Sequence, residues 1–293
     1  MISSRLLGPK SGRAADCFVS GREQGYSKPP FDQLNLSWQV GDDPVAVAAN
    51  RVELAREIGV EPRLLFAMRA AHGGDVAVID SSDLEYRRQL AAASGGRPEP
   101  CWDRTGVDAL VTAIPGIAVV ALAADCATVA LADPDAGVAA VLHCGWKGLG
   151  AGVVANTIAT MRGLGADTVG ALVGPTICAA CYRVDASRAH EVQQSCSVAV
   201  GRVIECLPTD GGWSVDIGAG VTAQLQSEGV RVERVLVCPA CDADGPTDDR
   251  RARNHGPRYF SYRRDGRTGR HGAAVVLRAA ASELGPLPGT ISR

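Results

Sequence analysis

The chain is poor in the residues that several function classes require. It has only five His among 293 residues, at positions 72, 143, 190, 255 and 271, and no two of them form an H-x-H pair. An oxidase holding several coppers needs many imidazoles in such pairs, so that ligand set is missing. The formal net charge is only −2, which gives no electrostatic case for nucleic acid or an anionic membrane as partner. No apolar run reaches membrane-spanning length without Asp, His or Gly interrupting it. The opening MISSRLLGPKSGRAAD has no apolar core of an export signal, so a cytoplasmic location is expected. The zinc nucleobase-deaminase signature is also missing. Cys238 follows Val237 rather than Pro, and Glu191 directly follows His190.

Cysteine, by contrast, is plentiful: ten residues. In a reducing compartment that number means metal, catalysis or plain core. Three residues stand out: His72 in RAAHGGDV, Cys126 in ALAADCATVAL and His143 in VLHCGWKGLGAG. Two imidazoles and a thiolate are good zinc ligands, and three protein ligands leave a fourth position open, as in catalytic sites. VVALAADCATVALA and GVAAVLHCGW read as apolar strands flanking the turn signal DPDAG at 133–137. Antiparallel pairing about Asp133–Ala136 would put Cys126 directly opposite His143 on one face, their Cβ atoms roughly 4.5–5.5 Å apart. A slip of one residue would separate them. A buried Cys and a hydrogen-bonded core His on a hairpin is the competing reading, and a metal-free thiolate–imidazolium pair is another.

With 46% hydrophobic residues the chain can bury a sizeable core. Residues 1–16 read as a flexible tail, 17–278 as a single catalytic domain and 279–293 as a second tail. FVSG opens a strand, and Asp43-Pro44 opens a helix ended by Gly59. LLFAMRAAHGGDVAVI reads as two strands about a Gly-Gly turn, and 81–105 as a surface excursion. Further helices are expected over GLGAGVVANTIATMRGLG, with a Gly-rich entry, and over RAHEVQQSCSVAVG and VDIGAGVTAQLQSEG, with strands over TVGALVGPTI and RVERVLVC. Residues 242–257 read as a loop, and YFSYRRDGRTGRHGAAVVL as a closing hairpin. Strands and helices lack regular alternation, which argues for α+β.

Several weaker signals accompany the three ligands. Asp125 adjoins Cys126 and is a candidate general base or imidazole partner, or simply a carboxylate capping N–H groups at a strand end. Lys147 precedes a Gly-rich helix entry that suits an anion. Arg263, Arg264, Arg267 and Arg270 offer another anion site, or a solvated charged face. Cys178–Cys181 and Cys238–Cys241 are two C-x-x-C pairs, far apart in sequence, that could hold a second, structural metal.

The segments GREQGYSKPPFDQLNLSWQVGDDPVAVAANRVEL, MRAAHGGDV, DALVTAIPGIAVVALAADC, HCGWKGLGAGVVANTI, VGPTICAACYRVD and FSYRRDGRTGR occur here in the order seen in the YfiH-like family, which the chain resembles over roughly residues 17–277. Its members are labelled polyphenol oxidase (laccase-domain) protein, peptidoglycan editing factor and purine nucleoside phosphorylase. The resemblance implies mixed β-sheets packed centrally with outer helices, a cysteine-hydrolase-like fold. It implies His72, Cys126 and His143 as metal ligands, with Cys126, His143 and Asp125 as catalytic candidates. It also implies a zinc-dependent purine nucleoside phosphorylase that splits adenosine, inosine and methylthioadenosine to base and ribose 1-phosphate, with adenosine deamination beside it. Lys147, Arg264 and Arg270 would place phosphate, and Arg22 or Asn35 would touch substrate. A hydrolase of peptidoglycan precursors, a copper-binding polyphenol oxidase and a non-enzymatic scaffold are the alternatives; Cu2+ would be adventitious. Oligomeric state, monomer or dimer, is open. Two positions depart from the family pattern: Ala70-Ala71 replaces Gln-Val before the first His, and CYRV replaces CYEV at Arg183.

Overall fold

The computed structural model describes residues 1–93, 103–200, 207–209, 212–241 and 257–278. Two six-stranded sheets form its centre. The first runs β1 (Ile2–Leu7), β2 (Ala14–Val19), β15 (His271–Arg278), β7 (Ala118–Ala123), β3 (Leu65–Arg69), β5 (Asp103–Thr105). The second runs β14 (Arg231–Arg234), β10 (Gly170–Val173), β8 (Ala127–Asp133), β9 (Val138–Cys144), β6 (Ala109–Thr112), β4 (Val76–Ile79). A small third sheet joins β11 (Arg183–Val184), β13 (Gly212–Ser214) and β12 (Leu207–Thr209).

Side-chain alternation explains the layering. In β7, Val119 and Ala121 face the second sheet, while Ala118 and Val120 face outward to α1 (Pro44–Glu57). In β8 and β9, Ala130, Ala132, Ala139 and Val141 face the first sheet. Their neighbours Val129, Leu131, Ala140 and Leu142 face a helical layer. That layer comprises α3 (Trp146–Ala151), α4 (Val153–Gly163), α5 (Ala186–Val200) and α6 (Ile217–Ser227). Strands buried on both faces read as continuous apolar runs rather than alternating ones, as these do. Alanine on the facing positions fits the close approach of two packed sheets. The α+β expectation, central sheets with outer helices, holds.

Four local expectations do not. Residues 1–16 are not a tail, because β1 pairs antiparallel with β2 along its whole length, Ile2 opposite Val19. The two strands of LLFAMRAAHGGDVAVI do not pair with each other, for β3 and β4 belong to different sheets. The excursion at 81–105 begins with α2 (Ser81–Ala93) and ends in β5. FSYRRDG forms a single-turn helix, α7 (Tyr262–Asp265), rather than one arm of a hairpin, because the Ser261 hydroxyl caps the Arg264 N–H. The loop expected at 242–257, apart from Pro257, and the tail at 279–293 lie outside the described residues.

Candidate active site

The apolar run that read as one strand through Cys126 is two. β7 ends at Ala123 in the first sheet and β8 begins at Ala127 in the second, so Ala124, Asp125 and Cys126 carry the chain across. Asp125 makes this crossing with φ +104, a conformation that bulky L-residues avoid and that the surrounding contacts must impose. Its carboxylate accepts the Ser261 hydroxyl at 2.6 Å and the Arg263 backbone N–H at 2.6 Å. Asp125 therefore caps the start of α7. Burial pushes its pKa up, against the hydrogen bonds from Ser261 and Arg263. It lines the cavity described below, but its carboxylate is bonded to the Ser261 hydroxyl and the Arg263 N–H rather than to an imidazole.

The β8–β9 hairpin forms with a longer loop than the turn signal suggested. Asp133 pairs with Val138, so Thr128 rather than Cys126 lies opposite His143. The shift is two residues, which preserves parity. Cys126, just beyond the end of β8, is a diagonal neighbour on the same face. His72 reaches the pair from the turn after β3, with φ +61. The His72 and His143 rings meet edge to face at 4.8 Å between centroids. One ligand atom from each of His72, Cys126 and His143 lies within 4.8 Å of the others. Gly145 closes over the group: a Cβ there would stand 3.0 Å from Cys126 Sγ.

The residue that organises this geometry is Asp108, at the head of β6. It is fully buried. Its carboxylate accepts the backbone N–H groups of Ala71 (3.1 Å), His72 (2.9 Å) and Gly73 (2.7 Å) and pairs with His143 Nδ1 at 2.9 Å. One side chain thus fixes the His72 turn and orients the His143 ring, leaving Nε2 toward the sulfur. A carboxylate behind a ligating imidazole is the usual means of orienting such a ligand. The sequence reading missed it; a lone Asp immediately before an apolar strand was its signal.

The electrostatics follow. Burial alone would push the Cys126 thiol up, but charge on His143, with hydrogen bonds from His143 and His72, brings it down to about 6. Burial alone would push His143 down, but the Cys126 thiolate and Asp108 carry it up to about 9. Without metal the pair is a thiolate–imidazolium couple. With metal the same groups are three ligands with an open fourth position.

The three residues open into a cavity of about 470 Å³. Met68, Leu122 and Ile177 give it apolar walls; Trp146, Tyr182 and Tyr262 add aromatic faces, and Arg188, Arg263 and Arg270 add positive charge. Ala70 also lines it, and Arg183 is exposed outside it. Of the expected substrate contacts, only Arg270 is there. Lys147 is exposed, with Nζ 5.5 Å from the Trp146 ring centroid, outside the cavity lining. The Arg264 guanidinium is taken up by the Pro239 and Tyr259 carbonyls and by Asp265. Arg22 bonds Asp32 and stacks on Phe260. Asn35 is buried and accepts the Arg270 backbone N–H at 2.9 Å, so it positions Arg270 rather than meeting a ligand. Arg263 and Arg188 line the cavity as well, Arg263 with its guanidinium on the Tyr182 ring and donating to the Cys181 and Arg183 carbonyls; nothing in the sequence singles them out.

The chain is similar to known proteins over most of its length. Residues 16–278 match the family model described as multi-copper polyphenol oxidoreductase laccase. A Streptomyces coelicolor protein named purine nucleoside phosphorylase SCO2081 is 40% identical over 258 residues, covering 86% of this chain and 91% of the relative. A protein named adenosine deaminase RL5, from an unknown prokaryotic organism, is 30% identical, covering 79% of this chain and 86% of its own length. The Bacillus licheniformis YfiH crystal structure superposes with a TM-score of 0.74 over 92% of this chain and 97% of that one, at 21% identity.

Proposed function

The chain belongs to the multi-copper polyphenol oxidoreductase laccase family, and on that premise we propose that it is a zinc-dependent purine nucleoside phosphorylase. It would act in the cytoplasm through one catalytic domain that includes β1 and β2 and runs to residue 278. The observation that carries the proposal is a ligand triangle of His72, Cys126 and His143 at a cavity with both aromatic and guanidinium walls. Relatives named for purine nucleoside phosphorolysis and adenosine deamination support it. The family's name points to copper. Five His without an H-x-H pair cannot hold several coppers, so a single adventitious Cu2+ at the same triangle is the most the chain offers.

The three donors suit zinc: two imidazoles, one soft anionic thiolate, and an imidazole oriented by Asp108. When bound, zinc supplies Lewis-acid polarisation of a substrate atom at the open position. The chain's own residues do the rest. Tyr182 and Trp146 present flat faces to a purine. Arg270, with Arg263 and Arg188, supplies charge for inorganic phosphate, the nucleophile that attacks the ribose anomeric carbon as the bond to the purine breaks. Ala70, where the family has Gln, leaves the cavity wall without an amide, a difference in substrate contact rather than in metal binding.

The test is to incubate inosine, adenosine and methylthioadenosine with zinc-loaded protein, with and without phosphate. Free base and ribose 1-phosphate should form only with phosphate, with some inosine from adenosine as a side product. Base release that ignores phosphate, or no release at all, would contradict the proposal. Arg270→Ala should raise the KM for phosphate more than that for nucleoside.

A further inference from the structure

The two C-x-x-C pairs, distant in sequence, come together because of sheet topology. β10 and β14 are adjacent and parallel, with Val173 opposite Arg234. Segments leaving parallel strands at matched positions travel side by side. Here Val235 N–H donates to the Val173 carbonyl (2.9 Å) and Thr176 N–H to the Val237 carbonyl (3.2 Å). Five residues after Val173 comes Cys178, and four after Arg234 comes Cys238. Each pair then turns tightly, and the first turn is closed by Cys181 N–H and Tyr182 N–H on the Cys178 carbonyl, at 3.1 and 2.9 Å.

The four sulfurs of Cys178, Cys181, Cys238 and Cys241 lie within 4.8 Å of one another, with Cys178 and Cys241 at 3.9 Å. Zinc–sulfur bonds of about 2.3 Å at tetrahedral angles set sulfurs roughly 3.8 Å apart. The backbone N–H of Cys178 points at Cys238 Sγ, 3.2 Å away, and those of Ala240 and Cys241 also donate to it. Converging N–H donors suit a thiolate rather than a thiol. Among the described residues no carboxylate or imidazole joins the group, and four protein sulfurs complete a tetrahedral set. We propose that Cys178, Cys181, Cys238 and Cys241 bind a second zinc ion, a structural one, independent of the phosphorylase reading.

Its place in the fold gives the ion a task. Ile177 and Tyr182, which flank the first turn, both line the cavity. The two arginines of α7 each hold one turn: Arg263 Nη1 donates to the Cys181 carbonyl at 3.4 Å, and Arg264 Nη1 to the Pro239 carbonyl. A tetrathiolate ion would lock the two turns to each other and fix that cavity wall.

Protein purified under reducing conditions should contain about two equivalents of zinc, falling to about one in Cys126→Ala and about one in Cys178→Ser/Cys241→Ser. Cobalt-loaded Cys126→Ala, which keeps all four cysteines of the second site, should show the intense sulfur-to-cobalt charge-transfer bands of a tetrahedral tetrathiolate. Its zinc form should show X-ray absorption from sulfur neighbours alone, at about 2.3 Å. These spectra decide the matter even if the double serine variant fails to fold. A double variant that keeps the full zinc content of wild type, a Cys126→Ala protein without the cobalt bands, or Cys178 and Cys241 in disulfides after reduction would each overturn the proposal.

Discussion

The two cysteine clusters use the same element to opposite ends. Around Cys126 the sulfur sits between two imidazoles, opens to a cavity, and is brought down to about 6 by the charge and hydrogen bonds of His143 and His72 against the opposing effect of burial. Around Cys181 burial and neighbouring sulfurs push the thiol up instead. One group is incomplete and therefore able to take a substrate atom. The other is complete and able only to hold chain segments together. The difference lies in the neighbours, not the cysteine: mixed nitrogen and sulfur with Asp108 behind, against sulfur alone with backbone N–H groups behind.

The strongest way to break that comparison is Cys126→Ala. It removes the anionic ligand of the open site, so nucleoside cleavage should fall on the order of 10³-fold or more, with zinc at the four-cysteine site unchanged. Turnover of inosine at near wild-type rates would remove Cys126 from the chemistry. Next comes Asp108→Asn, which keeps shape but loses the charge that orients His143 and gathers three N–H groups. Zinc affinity at the open site and activity should each fall roughly 10–100-fold, as read by competition with a chelator. A smaller, sharper test uses metal-free protein and iodoacetamide. Thiolate is the reactive form, so a lowered pKa means alkylation already fast at neutral pH and fading as pH drops through about 6. Peptide mapping at neutral pH should find Cys126 labelled ahead of Cys181; equal labelling would mean that the two environments do not differ. The smallest effect is that of Lys147→Ala. Exposed and outside the cavity lining, Lys147 should alter phosphate KM by less than about twofold, and a larger rise would return it to the site.

What the sequence reveals here is chemistry and parity; what it hides is where chains cross. Ligand types and the hairpin were legible because strand alternation has a period of two, so even a register wrong by two residues kept Cys126 and His143 on one face. The break at Ala124–Cys126 was hidden because the strands on either side are apolar throughout, so the run reads through its one charged residue, Asp125, as a single strand. Asp108 was hidden because its partners come from two other segments, 71–73 and His143, and local pattern carries no trace of them. Arg264 was preferred over Arg263 because both are cations in one motif. Which of them meets the cavity depends on the single turn of α7 and on the Asp125 cap. The four-cysteine cluster was one open possibility in the sequence for a similar reason: the two pairs lie 60 residues apart, and the parallel pairing of β10 and β14 that aligns their exits is not written in either pair.

The crossing at Ala124–Cys126 has a mechanical consequence. His72 follows a strand of the first sheet, His143 sits in the second, and Cys126 lies on the bridge between them. The triangle therefore spans the seam between the two sheets, and the Asp108 carboxylate at the head of β6 stitches that seam, holding the His72 turn by three backbone N–H groups and the His143 ring by Nδ1. One sheet cannot shear over the other without breaking those bonds first. A single buried carboxylate is the rivet on which the spacing of all three side chains depends.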